Sequence, residues 1–298
     1  MNNSGYNVIF LVRDKNLVKK NNSSSFQVDI TDLNQMKNFG MICPKFDIVI
    51  SCIASRTGEI EDAWNVEYHA NKHLLDLGWQ NNVTQFILLS AICVQKPKLE
   101  FQYAKLAFEK RLIDSPINHT IIRPTAFFKS LSGQIENLKV GKKFIYFDDG
   151  NRTSSKPISE TDLAKFICGC INSKKSMNRI FPIGGPGPAM TPREIGLLIF
   201  KLLNQKPRFR SVPSKLFTYA DQLLIPLSLF SKKIKNFRQF LKIANYYATE
   251  SMLLYNNKTS SYNENLTPEY GQETLESHFQ HLISSNKKID ELGTQKLF

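Results

Sequence analysis

TQFILLSAICVQKPKLEFQYAKLAFEKRLIDSPINHTIIRPTAF, residues 84–127, reads as strand, helix, strand. Its ends, TQFILLSAI (84–92) and HTIIRPTAF (119–127), are runs of apolar and β-branched residues, as expected of strands covered on both faces. Between them Leu99 to Ile113 has the spacing of a helix. Two such strands joined by a helix lie parallel, with a right-handed crossover. Outward from this unit the pattern repeats. YNVIFLV (6–12), FQVDI (26–30) and FDIVISCIA (46–54) are further buried strands, and Glu61 to Trp79 is a helix with apolar residues at Ala63, Val66, Ala70, Leu74 and Leu77. The predicted fold class is α/β, a Rossmann-like doubly wound parallel sheet with helices on both faces.

After Phe128 the rhythm changes. FKSLSGQIENLKVGKKFIYFDDG reads as a helix and a short strand, Ser159 caps a helix through Asp162, and Thr191 with Pro192 opens another after the strand IFPI. Residues 213–256 read as helical with a break at Pro226, and Gln272 to Ile283 as a last helix. The chain therefore divides into a Rossmann-like core, residues 1–128, and a mostly helical part, residues 129–298, packed on it to form a substrate region. No internal repeat is found.

The composition narrows the function. In 298 residues, 39 Lys+Arg against 26 Asp+Glu give a charge of +13, and 42% hydrophobic residues suffice for a core, which excludes a disordered or collagenous chain. The basic residues are spread out, so nucleic acid is not the expected partner. The densest acid-free run is SKKIKNFRQFLK (231–242), next to LLIPLSLF (223–230), and this pairing suggests peripheral docking on an anionic membrane. No apolar run reaches the roughly 18 residues of a spanning helix, and the first residues carry neither a signal-peptide nor a transit-peptide pattern. Five cysteines, an odd number, point to a reducing compartment, and the single C-G-C at 168–170 lacks further ligands at metal-site spacing.

In doubly wound sheets ligands lie across the carboxyl ends of the strands. Those ends are Arg13, Asp29, Cys52 to Arg56, Ser90 to Ile92 and Arg123 to Thr125. Arg13 has the chemistry to clamp the 2′-phosphate of NADP. Asp29 either accepts from adenine or caps the following helix through Thr31 and Asp32, and Ala54 and Ser55 line the pyrophosphate and ribose. FQYAKLAFEK (101–110) places Lys105 one turn after Phe101, with Ser90 ending the preceding strand. Short-chain dehydrogenases hold a Ser, a proton-donating Tyr and a Lys in that layout, yet here Phe101 stands at the Tyr position. Tyr103 points about 200° away from Lys105 on a helix. Carbonyl reduction through a Tyr is therefore disfavoured, and hydride delivery to an activated carbon–carbon double bond is the alternative. A glycine-rich turn of the dinucleotide type is not found ahead of Asn7, and GGPGP (184–188) reads as a loop rather than a phosphate cradle.

SCIASRTG (51–58), LLSAICVQKPKLEFQYAKLAFE (88–109), IIRPTAFFKSLSGQ (121–134), KPISETDLA (156–164), FPIGGPGPAMTPREIG (181–196), YYATESMLL (246–254) and TPEYGQETLESHF (267–279) resemble, in order, the plant and green-bacterial divinyl chlorophyllide a 8-vinyl-reductase family of atypical short-chain dehydrogenases. The resemblance implies NADPH-dependent reduction of the 8-vinyl group of a tetrapyrrole in chlorophyll synthesis, within a plastid. It also implies that Lys105 holds the nicotinamide ribose, that Arg13 holds the 2′-phosphate, and that Ala54, Ser55, Pro124 and Thr125 form cofactor walls. Phe127 and Phe128 would stand at the entrance of a pigment cleft beside Phe101, with Ser90, Tyr103 or water supplying the proton. The departure from the family is the central strand and its glycine turn. Two readings follow: an incomplete version of a longer enzyme, or a shortened relative with weakened NADPH binding, serving as a non-catalytic pigment-binding or assembly protein.

Overall fold

The computed structural model describes residues 5–13 and 24–285. Its centre is a four-stranded parallel sheet in the order β3 (Ile48–Ser51), β4 (Gln85–Leu89), β5 (Asn118–Pro124) and β7 (Arg179–Ile183). The register pairs Ile87 with Ile50 on one side and with Thr120 on the other. Alternation along the strands sends neighbours to opposite faces. Phe86 and Leu88 of β4 and Ile121 of β5 pack on one face, whereas Ile87 and Ile122 pack on the other with Ile183. The first face is covered by α1 (Leu33–Ile42), α3 (Asn71–Gln80) and α4 (Glu100–Ile113), the second by α7 (Glu160–Cys170). Both faces are buried, and the strands are accordingly apolar throughout. Because β7 lies at residues 179–183, chain beyond residue 128 completes this sheet.

β1 (Ile9–Val12) and β2 (Ser24–Gln27) form a separate parallel pair, with Leu11 opposite Phe26. Their side chains join the first face, where Leu11 and Phe26 pack against the core under α1 and α3. The His73 Nδ1 lies 2.9 Å from the Ile30 carbonyl and fixes α3 to the end of that pair. Among the described residues β1 and β3 are not hydrogen-bonded to each other, and the sheet is interrupted where the sequence reading places a further strand.

A second core begins at Phe128, with the short helices α5 (Phe128–Leu131) and α6 (Ile135–Lys139). The strands β6 (Phe144–Phe147) and β8 (Phe209–Val212) pair in parallel, and Phe144, Ile195, Ile199, Phe200 and Phe279 bury together between α8 (Pro192–Leu202) and α12 (Leu275–Ser284). Thr191 is the N-cap of α8, as expected from its sequence, and it forms a capping box with Glu194. Residues 213–256 differ from the helical expectation. They form α9 (Lys215–Leu223), α10 (Ile225–Ser228), α11 (Lys232–Thr249) and then β9 (Leu254–Asn256), which pairs with β10 (Ser261–Asn263). No helix among the described residues is long and apolar enough to cross a membrane.

Candidate active site

The strand ends place most of the sequence-derived residues along one edge of the sheet. After β3 the chain runs through Ala54 and Ser55 into α2 (Ile60–Ala63), a π-helical segment Trp64–Ala70, and α3. The π-helical turn carries Glu67 inward, where it is 2% exposed. Asn71 satisfies the local backbone, its amide donating to the Glu67 carbonyl at 2.9 Å while its oxygen accepts from Ser51 at 2.5 Å. Such one-turn departures from α-helix recur at functional sites.

Glu67 joins two predicted residues. Its Oε2 lies 2.6 Å from the Lys105 Nζ on α4, and its Oε1 accepts from the backbone N–H of Ser55 at 2.9 Å and the Ser55 hydroxyl at 2.8 Å. Lys105 is itself buried. A buried ammonium with a carboxylate counter-ion is held in place, and an ammonium carries three N–H donors, of which Glu67 takes one.

Around this pair stands an apolar wall. Phe101, one turn before Lys105, packs against the cluster of Cys93, Leu99 and Tyr246, which Ile243 and Tyr247 also border. Tyr246 donates to the Cys93 carbonyl at 2.9 Å. Burial raises the Tyr247 hydroxyl well above the usual phenol range, and Cys93, Tyr246 and lastly Glu67 add to the effect. Tyr103 is exposed and donates to the Pro97 carbonyl at 3.1 Å, on the side of the helix away from Lys105. Ser90 is buried and donates to Glu109 at 2.5 Å, and Glu109 is ion-paired with Arg123. The hydroxyls of Ser90 and Tyr103, both considered as proton donors, are thus committed to other partners.

Arg13 ends β1 and is exposed. Its charge reaches two carboxylates, Asp29 after β2 and Asp62 on α2. Asp29 is held below its ordinary range first by the Thr31 hydroxyl, at 2.6 Å, with Arg13 contributing. Asp62 is lowered despite its burial by the Thr57 N–H and hydroxyl, the Arg56 N–H and then Arg13. Asp29 accepts from the Thr31 N–H at 3.0 Å, and Asp32 caps α1 beside it. Pro124 and Thr125 are buried, and the Thr125 hydroxyl donates to the Lys156 carbonyl. Phe128 requires a correction: it is 1% exposed, and its ring lies tilted 5.3 Å from the His278 ring within the second core, so it lines no entrance. Phe127 is half-buried and packs against the main sheet.

Glu67 and Tyr247 were not singled out in the sequence. Glu67 could have been: it falls among Ala63, Val66, Ala70 and Leu74 on the apolar face of its helix, and an acid on a buried face demands a partner. Tyr247 lies 142 residues from Lys105 and offers no local signal.

The donor set suits two ends of a nicotinamide dinucleotide. Arg13 has the guanidinium for a ribose phosphate, and Lys105 has N–H donors for a ribose hydroxyl. The pyrophosphate is less well provided for among the described residues. The Arg56 and Thr57 N–H groups both donate to Asp62 at 3.1 Å, so a side-chain carboxylate of the chain already fills that small anion site. The GGPGP loop is closed as well, since a Cβ on Gly185 would stand 2.0 Å from the Pro157 carbonyl oxygen. No group of His, Cys, Asp and Glu able to hold a metal occurs among the described residues.

Residues 1–174 match the NAD(P)H-binding family. A divinyl chlorophyllide a 8-vinyl-reductase of cucumber, described as chloroplastic, is 43% identical over 311 residues, covering 99% of this chain and 74% of that protein. Its Arabidopsis thaliana counterpart is 41% identical and covers 98% and 74%. Among solved structures, a UDP-glucose 4-epimerase of Thermotoga maritima superposes with a TM-score of 0.66 at 15% identity, covering 93% of this chain and 90% of that one, a likeness of fold alone.

Proposed function

The chain belongs to the family of divinyl chlorophyllide a 8-vinyl-reductases, and from that premise we propose that it reduces the 8-vinyl group of 3,8-divinyl chlorophyllide a to ethyl with NADPH, in chlorophyll biosynthesis within a plastid. The observation that carries this reading is similarity over nearly the whole chain, including the helix that bears Lys105.

A bound NADPH supplies the hydride. The protein's part is to hold, orient and protonate. Arg13 takes the 2′-phosphate, and Lys105 donates to the nicotinamide ribose while Glu67 fixes its position. Ser55, held by the same carboxylate, shapes the loop that meets the ribose. Phe101 presents a flat apolar surface and no acidic proton, which suits a carbon–carbon double bond better than a carbonyl. Hydride addition to the conjugated vinyl group leaves a carbanion spread over the macrocycle, and one proton completes the ethyl group. Tyr247 is the proposed source of that proton, because its phenol borders the same apolar cluster as Phe101. The part beyond residue 128, with Phe127 at its boundary, holds the pigment.

The test is a titration with NADPH followed by nicotinamide fluorescence, then a single-turnover assay in which the pigment product gains two hydrogens. Micromolar affinity, weakened about tenfold or more by Arg13→Ala, together with conversion of divinyl chlorophyllide supports the reading. A folded chain that binds pigment and not NADPH would replace it with a non-catalytic pigment binder.

A further inference from the structure

Of the 23 large apolar side chains that are exposed among the described residues, nine lie between Leu216 and Phe240. Neither α9 nor α10 contributes a buried residue. Leu223, Leu229 and Phe230, at the turn of this helical hairpin, are 77%, 78% and 89% exposed. Yet the hairpin is a built structure. Arg238 of α11 donates to Asp221 of α9 at 2.7 Å and to the Ser228 hydroxyl at 2.9 Å, so these polar groups are turned inward and paired while Leu223, Leu227, Leu229, Phe230 and Phe237 face outward. This inverts the arrangement of a water-facing hairpin.

The charges around the patch identify its partner. Lys215, Lys232, Lys233, Lys235, Arg238 and Lys242 stand against Asp221, the single acid between residues 215 and 249, so the segment carries 6 − 1 = +5. Lysine is depleted from the cores of protein interfaces, and two copies joined through this face would oppose like charges. Apolar side chains bordered by lysines are what an anionic bilayer accepts, with rings and aliphatic chains below the headgroups and ammonium groups among the phosphates.

We propose that the α9–α10–α11 hairpin is a docking surface for an anionic lipid bilayer, with Leu229 and Phe230 entering the interface. The hairpin is joined directly to the active site. On α11, Ile243 approaches so closely that a Cβ on Gly58 would stand 2.6 Å from its Cδ1, Lys232 reaches Glu61 at 3.5 Å, and Tyr246 and Tyr247 belong to the apolar cluster on which Phe101 packs. Docking therefore sets the loop of residues 54–62 close to the headgroup level, from which an amphiphilic pigment can enter without crossing water. That consequence rests on the reductase reading, whereas the docking itself does not.

The experiment is co-sedimentation of the full chain with vesicles of phosphatidylcholine containing one third phosphatidylglycerol, beside vesicles of phosphatidylcholine alone. Expected is binding to the anionic vesicles that weakens with added salt, falls about a hundredfold in Lys232→Gln/Lys233→Gln/Lys235→Gln, and is lost in Leu229→Asp/Phe230→Asp. Both variants change exposed side chains, and unaltered thermal melts show that they fold. Absence of wild-type binding, or binding that neither variant changes, overturns the proposal. So does a dimer in lipid-free solution that Leu229→Asp/Phe230→Asp dissolves, which would assign the face to a second copy. Vesicle binding without vinyl reduction would leave the docking intact and refute the function instead.

Discussion

Both oxygens of Glu67 are occupied, one by Ser55 and one by Lys105, and the carboxylate is buried. Removing one member of a buried ion pair strands the other charge and costs about 3–5 kcal/mol. Lys105→Met should therefore lower stability by that order and NADPH affinity with it, a result that by itself would not separate a ribose contact from a damaged fold. Adding Glu67→Gln removes the stranded charge. The double variant is expected to melt close to the wild type while its NADPH affinity stays at least about tenfold weaker, since a methionine donates nothing to a ribose hydroxyl. Melts and fluorescence titrations of the wild type and the two variants read both quantities, and affinity that returns with stability would make Lys105 a purely structural residue. Tyr247→Phe addresses the proton. It should lower kcat on the order of a hundredfold, the usual contribution of a positioned general acid, and leave NADPH affinity unchanged, whereas a packing role would move both little.

The strands and helices around the site were readable where their period was long and consistent. The run TQFILLSAI and the capped helices after Ser159 and Thr191 fall where their sequences put them. The π-helical turn at Trp64–Ala70 was not readable, because seven residues inside a longer apolar pattern do not separate one helical period from another. The strand β8, FRSV, was missed because its partner β6 lies 62 residues away and only that pairing makes it a strand. The GGPGP loop was read as turn chemistry, and the structure gives the reason for two adjacent glycines. Gly184 accepts from the Tyr270 N–H at 2.9 Å while Gly185 lies against Pro157, so strand end, loop and C-terminal segment meet backbone to backbone. Gly185→Ala would place a methyl group 2.0 Å from a carbonyl oxygen that cannot rotate away. A loss of about 1–3 kcal/mol is expected from denaturant unfolding, and an alanine variant as stable as the wild type would show that this loop yields.

At the scale of the molecule, the sheet order was legible from the succession of strands, and so was the interruption between β1 and β3, since each strand announces itself but neither names its neighbour. What was not legible is how the last third of the chain is tied to the first. Glu250 follows α11 and accepts from Lys96 at 2.7 Å, from Lys98, and from the Tyr262 hydroxyl at 2.5 Å, while Lys96 also lies 4.7 Å over the Tyr255 ring. These partners come from the loop after β4 and from the β9–β10 hairpin, more than 150 residues apart, which no local pattern relates. Burial alone would raise the Glu250 carboxyl, but the hydrogen bonds from Lys96, Lys98 and Tyr262 overcome it and bring it from 4.5 to about 2. A carboxyl lowered on folding stabilises the protein above its unfolded value, and that contribution disappears as pH falls from 4.5 towards about 2. Glu250→Gln should therefore melt at least about 3 °C below the wild type at pH 7, and the gap should narrow when both are scanned near pH 3. A gap of equal size at the two pH values would mean that Glu250 holds the C-terminal segment by shape and neutral hydrogen bonds, with no ionic share.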